Sequence, residues 1–220
     1  MSMNQQKIQP TTVADSVYLR IKNAIIIGEL KAGEHLVQEE FTKGLGVSRT
    51  PVRDAFRRLE SEGLVVNRPY YGATVFRPSK EQVQEIYEIR ILIEQYCASR
   101  ASMVATEEEL QSVKSINDRM AKVSPTSKEY MQLDFEFHKH IGELSGCTKS
   151  TLEILEGLLN KSSSFKSIYY SMVGGSQATI SMHAKIIDAL FSRNTEEVKK
   201  AIADHLYHVL DRVISSNVVV

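Results

Sequence analysis

The stretch Leu45-Gly46-Val47-Ser48-Arg49-Thr50-Pro51-Val52-Arg53-Asp54-Ala55, continuing Phe56-Arg57-Arg58-Leu59-Glu60-Ser61-Glu62-Gly63, decides how this chain reads. Gly46 suits a tight turn between two helices. Ser48 can cap the next helix through its hydroxyl. Pro51 falls in the first turn, where a missing N–H removes no intrahelical bond. The pattern predicts a helix over residues 48–62. At about 100° per residue, Val52, Ala55, Phe56 and Leu59 share one apolar arc. Arg49, Arg53 and Arg57 fan over an adjacent arc. Arginine forks match guanine O6/N7 and phosphate oxygens, and a major groove admits one helix. Taken alone, such a stripe is more often the solvated face of a core helix.

The flanks change that balance. Residues 16–28 predict a helix with Val17, Ile21, Ala24 and Ile25 on one face, and residues 38–45 a shorter one. After Gly63, the runs Leu64-Val65-Val66 and Thr74-Val75-Phe76 bracket Asn67-Arg68-Pro69-Tyr70-Tyr71-Gly72-Ala73, a hairpin signal. Helix, helix, turn, helix, hairpin is a winged helix-turn-helix plan. It occupies residues 13–77, after a flexible start at 1–12. The hairpin carries Arg68 toward the minor groove or the DNA backbone.

These residues resemble GntR-type bacterial regulators. The resemblance rests on residues 45–55, then Leu59-Glu60 and Glu62-Gly63-Leu64. Ile27-Gly28-Glu29-Leu30-Lys31-Ala32-Gly33 is similar to the family's approach segment, with Ala32 where proline is usual. The resemblance implies double-stranded DNA as partner and Ser48, Arg49 and Arg53 as its main contacts, with Gly72 of the wing approaching closely. Thr50, Arg57 and Arg68 complete the expected DNA-binding set. Where the fatty-acid-responsive member has an arginine in the second helix, this chain has Glu39, which cannot bind phosphate.

Bulk composition seems to argue otherwise. The 220 residues are 42% hydrophobic and 25% charged, with 27 Lys+Arg against 27 Asp+Glu. Disorder and a membrane span are both disfavoured. There is no apolar signal segment, and Cys97 and Cys147 cannot make a disulfide framework. A bacterial cytoplasm is the expected location. Zero net charge counts against nucleic acid, yet it is a cancellation. Residues 1–79 hold 11 Lys/Arg and 8 Asp/Glu, net +3, and the remainder 16 and 19, net −3. Residues 78–79 mark the linker.

Beyond the linker the chain reads as helices only. The expected spans are 80–103, with Val83, Ile86, Ile89, Ile93 and Tyr96/Cys97 inward, then 106–123, 128–144, 149–172, 176–192 and 195–215. Thr106 with Glu109 signals a capping box, and Gly174-Gly175 and Arg193-Asn194 punctuate later helices. The fold class is therefore mainly α. A winged helix-turn-helix is followed by an all-α antiparallel bundle over 80–220.

Asp134 and His138 lie four apart on one helix face, and His183 and His205 fall on later helices. Three imidazoles and a carboxylate suit a first-row divalent metal. Spacing alone is weak, since widely separated histidines are usually unrelated. Residues 80–215 also resemble the FCD ligand-binding domain of the FadR branch of GntR regulators. The matching pieces are Arg90-Ile91-Leu92-Ile93-Glu94, Asp134-x-x-Phe137-His138, His183 with Ile186-Ile187-Asp188-Ala189-Leu190, and Ala203-Asp204-His205-Leu206. In metal-containing members those four positions bind the ion. The resemblance therefore implies Asp134, His138, His183 and His205 as ligands, with Zn²⁺ first and Ni²⁺ or Mn²⁺ as alternatives. Cys147 stands where the family often has asparagine. His35, His140 and His208 read as surface or supporting residues.

Arg90 needs a partner if it lies on an inward face. Glu94, four residues on, is one. The carboxylate of a small effector is the other, and the resemblance favours it. A sugar acid or hydroxy acid would then shift the spacing of two heads in a homodimer on a pseudo-palindromic operator. Two other readings compete: a metal-dependent hydrolase or isomerase using the Asp/His₃ set, and a metal sensor without an organic effector.

Overall fold

In the computed structural model, residues 12–68, 70–173 and 177–215 are described. The expected flexible start at 1–11 and the Gly174-Gly175 break lie outside them. The first helix, α1 (Val13–Ile26), begins three residues earlier than its apolar pattern suggests. The reason is a capping box: the Thr12 hydroxyl accepts from the Asp15 amide and the Asp15 carboxylate accepts from the Thr12 amide. Next come β1 (His35–Leu36), α2 (Gln38–Leu45) and α3 (Arg49–Ser61), then β2 (Val65–Arg68) and β3 (Gly72–Val75). The two residues of β1 had read as loop. They pair with β3, so the wing is a three-stranded antiparallel sheet in the order β1-β3-β2. Val17, Ile21, Ile25, Val52, Ala55, Leu59, Leu64 and Val75 form the core of this head.

The body consists of α4 (Lys80–Val104), α5 (Glu107–Met120), α6 (Lys128–Glu143), α7 (Lys149–Val173), α8 (Gln177–Ser192) and α9 (Thr195–Ser215). Three starts are set by side-chain caps. Ser79 and Thr106 form capping boxes with Gln82 and Glu109, and the Ser127 hydroxyl accepts from the Tyr130 amide. No strand occurs among the described residues after 79, and no described helix is long and apolar enough to cross a membrane.

Helix α4 is central, lying against α6, α7, α8 and α9. Its inward face differs from expectation. Val83, Ile86 and Cys97 are buried as expected, but Ile89 and Tyr96 are exposed. Tyr87, Arg90, Ile91 and Glu94 take the interior instead. Two charged residues can lie inside because each has polar partners across the bundle, described below.

Candidate DNA-binding face and metal centre

Gly46 adopts a left-handed conformation at the end of α2, with φ 65°, and turns the chain into α3. Ser48 is the N-cap residue, with φ −74° and ψ 170°, but its hydroxyl makes no capping bond. The expected cap is absent for a local reason. The third helical residue is Pro51, which has no N–H for the hydroxyl to accept. Ser48, Arg49, Thr50, Arg53 and Arg57 are all exposed, while Val52, Ala55, Phe56 and Leu59 are buried. The helix therefore shows its apolar side to the head and its arginines to solvent.

A groove between α3 and the wing is lined by Arg53, Arg57, Asn67 and Gly72 among others. Arg68 pairs with Gly72 at the wing tip, and both are exposed. Gly72 has φ 76°, and a Cβ there would meet the His35 ring at 3.1 Å. The positive φ favours glycine, and a Cβ there would also force the His35 ring to give way. His35 is exposed, and its ring nitrogen Nε2 hydrogen-bonds to the Tyr71 carbonyl, joining β1 to the wing turn.

The second constellation is buried. His138 on α6, His183 on α8 and His205 on α9 come together, with ligand atoms all within 4.8 Å of one another. The His138 and His205 Nε2 atoms are 3.2 Å apart. The His183 ring stacks on Phe137 with centroids 3.9 Å apart. Neither nitrogen of His183 has a hydrogen-bond partner, nor has Nδ1 of His205. Burial holds both imidazoles well below their ordinary values, as do the like charges of neighbouring imidazoles. Both are therefore neutral, with lone pairs available. Orphaned nitrogens on His183 and His205, with His138 converging on them, fit a first-row divalent cation.

Asp134 stands one step outside that group. Its Oδ2 accepts from Lys166 Nζ at 2.5 Å, and its Oδ1 lies 3.9 Å from His183 Nε2. Burial pushes its carboxyl up, but the Lys166 charge, then His138 and His183, outweigh this and hold it well below the carboxylate range. Lys166, one of the buried residues of α7, carries no signal in the sequence, because a single lysine in a helix reads as solvent-facing.

Arg90 is 1% exposed and engages Glu94. Its Nε donates to Glu94 Oε1 at 2.8 Å, its Nη2 lies 2.6 Å from the same oxygen, and its Nη1 donates to Ser162 Oγ at 3.0 Å. Glu94 also reaches the histidine cluster, with Oε2 2.7 Å from His138 Nδ1. That contact is close but bent, outside good N–H alignment. Burial raises the Glu94 carboxyl, but Arg90 and then His138 overcome this and leave it at about 2. The second role of Glu94, against His138, was not visible in the sequence. His140 is half-buried and meets Ser112 at 2.6 Å, away from the cluster.

Head and body meet through charges. Lys22 of α1 lies 3.1 Å from Glu62, at the end of α3, and 3.2 Å from Glu156 of α7. The Tyr18 hydroxyl donates to Glu62 at 2.5 Å, with the Arg58 guanidinium 3.8 Å over the Tyr18 ring.

Comparison with known proteins agrees with both halves. Residues 13–75 match the family of bacterial regulatory proteins, gntR family, and residues 85–208, more than half of the chain, match the FCD domain. The chain is 26% identical over 214 residues to the HTH-type transcriptional repressor RspR of Escherichia coli (strain K12), covering 95% of this chain and 92% of RspR. It is 27% identical over 215 residues to the HTH-type transcriptional regulator YdhC of Bacillus subtilis (strain 168), covering 92% and 95%. Among solved structures, E. coli McbR/YncC superposes with a TM-score of 0.83 at 21% identity, covering 94% of this chain and 99% of that one. A GntR regulator from Rhodococcus sp. RHA1 gives 0.79 at 21% identity, covering 92% and 98%. The relatives and the shared fold are those of transcriptional regulators, which sets the hydrolase or isomerase reading aside. The chain belongs to the gntR family of bacterial regulatory proteins and is a DNA-binding transcriptional regulator with an FCD effector-binding domain.

Proposed function

We propose that this regulator binds its operator as a homodimer, holds a divalent metal in the FCD domain, and responds to a small carboxylic acid. His138, His183 and His205 would hold the metal together with Asp134. Zinc is the first choice, with nickel or manganese as alternatives. A bound ion would supply positive charge and a coordination position for an oxygen ligand. The observation that carries the reading is the convergence of three buried imidazoles, with both nitrogens of His183 and Nδ1 of His205 lacking a hydrogen-bond partner. Arg90, beside this cluster, is the residue assigned to the acid's carboxylate. Ser48, Arg49, Thr50, Arg53, Arg57, Arg68 and Gly72 are assigned to DNA, and a two-fold dimer implies a pseudo-palindromic operator.

A second reading has its own support. Arg90 already has a carboxylate partner in Glu94 and a hydroxyl partner in Ser162. That arrangement favours a metal sensor without an organic effector. One experiment separates the two: a thermal-shift screen of small carboxylates on metal-loaded protein, followed by operator-binding titrations. An acid that raises the melting temperature and changes operator affinity, with weaker binding by Arg90→Ala at unchanged metal content, supports the effector reading. If chelator changes operator affinity and no acid does, the protein is a metal sensor. If the purified protein takes up none of the three metals, the metal reading fails.

A further inference from the structure

Glu94 touches both Arg90 and a cluster histidine in the buried centre. One oxygen takes the Arg90 fork at 2.6 and 2.8 Å, and the other faces His138 Nδ1 at 2.7 Å. All three side chains are buried, so no bulk water competes for these contacts. An ionised carboxylate can only accept. An imidazole nitrogen held 2.7 Å from that oxygen is the favoured place for the proton, since a lone pair there would be repelled, although the contact is bent off the N–H line. An imidazole that carries its single proton on Nδ1 has its lone pair on Nε2. That is the nitrogen 3.2 Å from His205 Nε2, facing the other imidazoles. Arg90 in turn fixes the carboxylate, and Ser162 fixes Arg90 from α7.

We infer that Glu94 is a positioning residue: it sets the tautomer and ring orientation of His138 for metal binding, and Arg90 supports the metal centre through it. This rests on the metal reading above. It adds a residue outside the four-ligand set and gives the Arg90–Glu94 pair a role other than neutralising charge. A carboxylate or carbonyl behind a ligating histidine raises its basicity and pins its orientation, and loss of such a partner weakens metal affinity about 10- to 100-fold.

Removing Glu94 alone strands the Arg90 charge, so the test uses double variants that leave no unpaired ion. R90M/E94L removes the acceptor, and R90M/E94Q restores an acceptor without charge. Two readouts are taken on full-length protein: Zn²⁺ affinity by competition with a chromophoric chelator, and the ring ¹⁵N spectrum of metal-free protein, with the His138 signals assigned by their loss in His138→Gln. The expected wild-type spectrum shows His138 protonated at Nδ1. R90M/E94L should lose that tautomer and bind Zn²⁺ about 10- to 100-fold more weakly, and R90M/E94Q should recover the tautomer and part of the affinity. Wild-type His138 protonated at Nε2 overturns the inference, as does a folded R90M/E94L that binds zinc like wild type. If R90M/E94L does not fold, the wild-type tautomer still decides. Wild-type protein that binds no zinc, nickel or manganese would sink the metal reading, while the tautomer would still report on Glu94.

Discussion

The Nε2 atoms of His138 and His205 face each other at 3.2 Å in the middle of the FCD domain, on helices α6 and α9. They are brought together from 67 residues apart, and His183 of α8 closes the group. Three helices thus each commit an imidazole to one buried place, where His183 has no hydrogen-bond partner and His205 has none at Nδ1. Buried polar groups left unpaired cost free energy, so the arrangement calls for a ligand.

His183→Ala is therefore expected to lower bound metal, measured by elemental analysis after dialysis, from about one equivalent per chain. Saturating the wild type with metal should raise its melting temperature, because a ligand at about 100 times its Kd stabilises by roughly 2.7 kcal/mol. The variant should show little of that gain. Normal metal content in His183→Ala would rule out its role as ligand.

The same cluster predicts how metal-free stability varies with pH. His183 and His205 are held well below their ordinary values by burial and by neighbouring imidazoles. Above about pH 6.5 both are neutral in the folded and the unfolded chain. As pH falls below that value, the unfolded chain takes up protons that the folded core excludes. Stability must then fall, by up to about 1.4 kcal/mol per pH unit for each group. The low folded values of Glu94 and Asp134 act in the same direction below about pH 4.5, the ordinary range of free carboxylates. Denaturant titrations in chelator at pH 7.5, 6.5 and 5.5 measure this. A stability that stays level or rises as pH drops to 5.5 would contradict neutral burial of these histidines.

On the DNA-binding face, Arg49 lies in the first turn of α3, exposed beside the uncapped Ser48 hydroxyl. Arg49→Ala is expected to weaken specific operator binding by about 1–3 kcal/mol if it reads a base in a bidentate fork. A phosphate contact would instead weaken specific and nonspecific binding alike and lower the salt slope by about one. Fluorescence anisotropy on operator and scrambled DNA at two salt concentrations separates the two, and unchanged affinity for both DNAs removes Arg49 from the interface.

The exposed side of α4 carries Ile89, Leu92, Tyr96 and Met103, which are 49%, 68%, 52% and 62% exposed, with Tyr207 of α9 also exposed. Such an apolar stripe on an exposed helix face suits a subunit contact, and gntR-type regulators commonly dimerise. Leu92→Glu is expected to shift the protein toward monomer in light scattering, with loss of operator affinity. A wild-type-like dimer in that variant would move the interface elsewhere.

Much of this was legible before the structure. Caps and breakers are local, so Thr106 with Glu109 and the Gly46 turn placed their elements closely. The misread features are those in which a distant or neighbouring group overrides the local pattern. Apolar periodicity put Ile89 and Tyr96 inward and treated Arg90 as an interruption. The structure exposes Ile89 and Tyr96 and buries Arg90 together with Glu94, because Ser162 of α7 and His138 of α6 supply polar partners for that ion pair. Lys166 stayed invisible for the same reason, since its burial depends on a partner 32 residues away in sequence, the Asp134 carboxylate. The Ser48 cap failed on a neighbour three residues away: Pro51 lacks the N–H that the hydroxyl would accept. Strand β1 has only two residues, too short for any alternation, and exists because β3 offers it an edge.

Lys22 links the DNA-binding half to the ligand-binding half. It is 9% exposed and sits between Glu62, which terminates the recognition helix, and Glu156 on α7. Further along α7, Ser162 holds Arg90 and Lys166 holds Asp134. One helix therefore touches both the recognition-helix end and the buried centre. Replacing Lys22 with Met leaves two carboxylates without their shared cation and removes the hydrogen bond to Glu156, and a hydrogen bond to a charged group contributes about 1.5–3 kcal/mol. The expected result is a lower melting temperature. In addition, if α7 transmits the ligand signal, the change in operator affinity caused by metal or acid should shrink while DNA binding itself persists, because Lys22 is outside the arginine stripe. Coupling is measured as the ratio of operator affinities with and without ligand. A Lys22→Met protein that keeps the full wild-type ratio would show that the signal passes by another route, through the dimer contact instead of the Lys22 bridge.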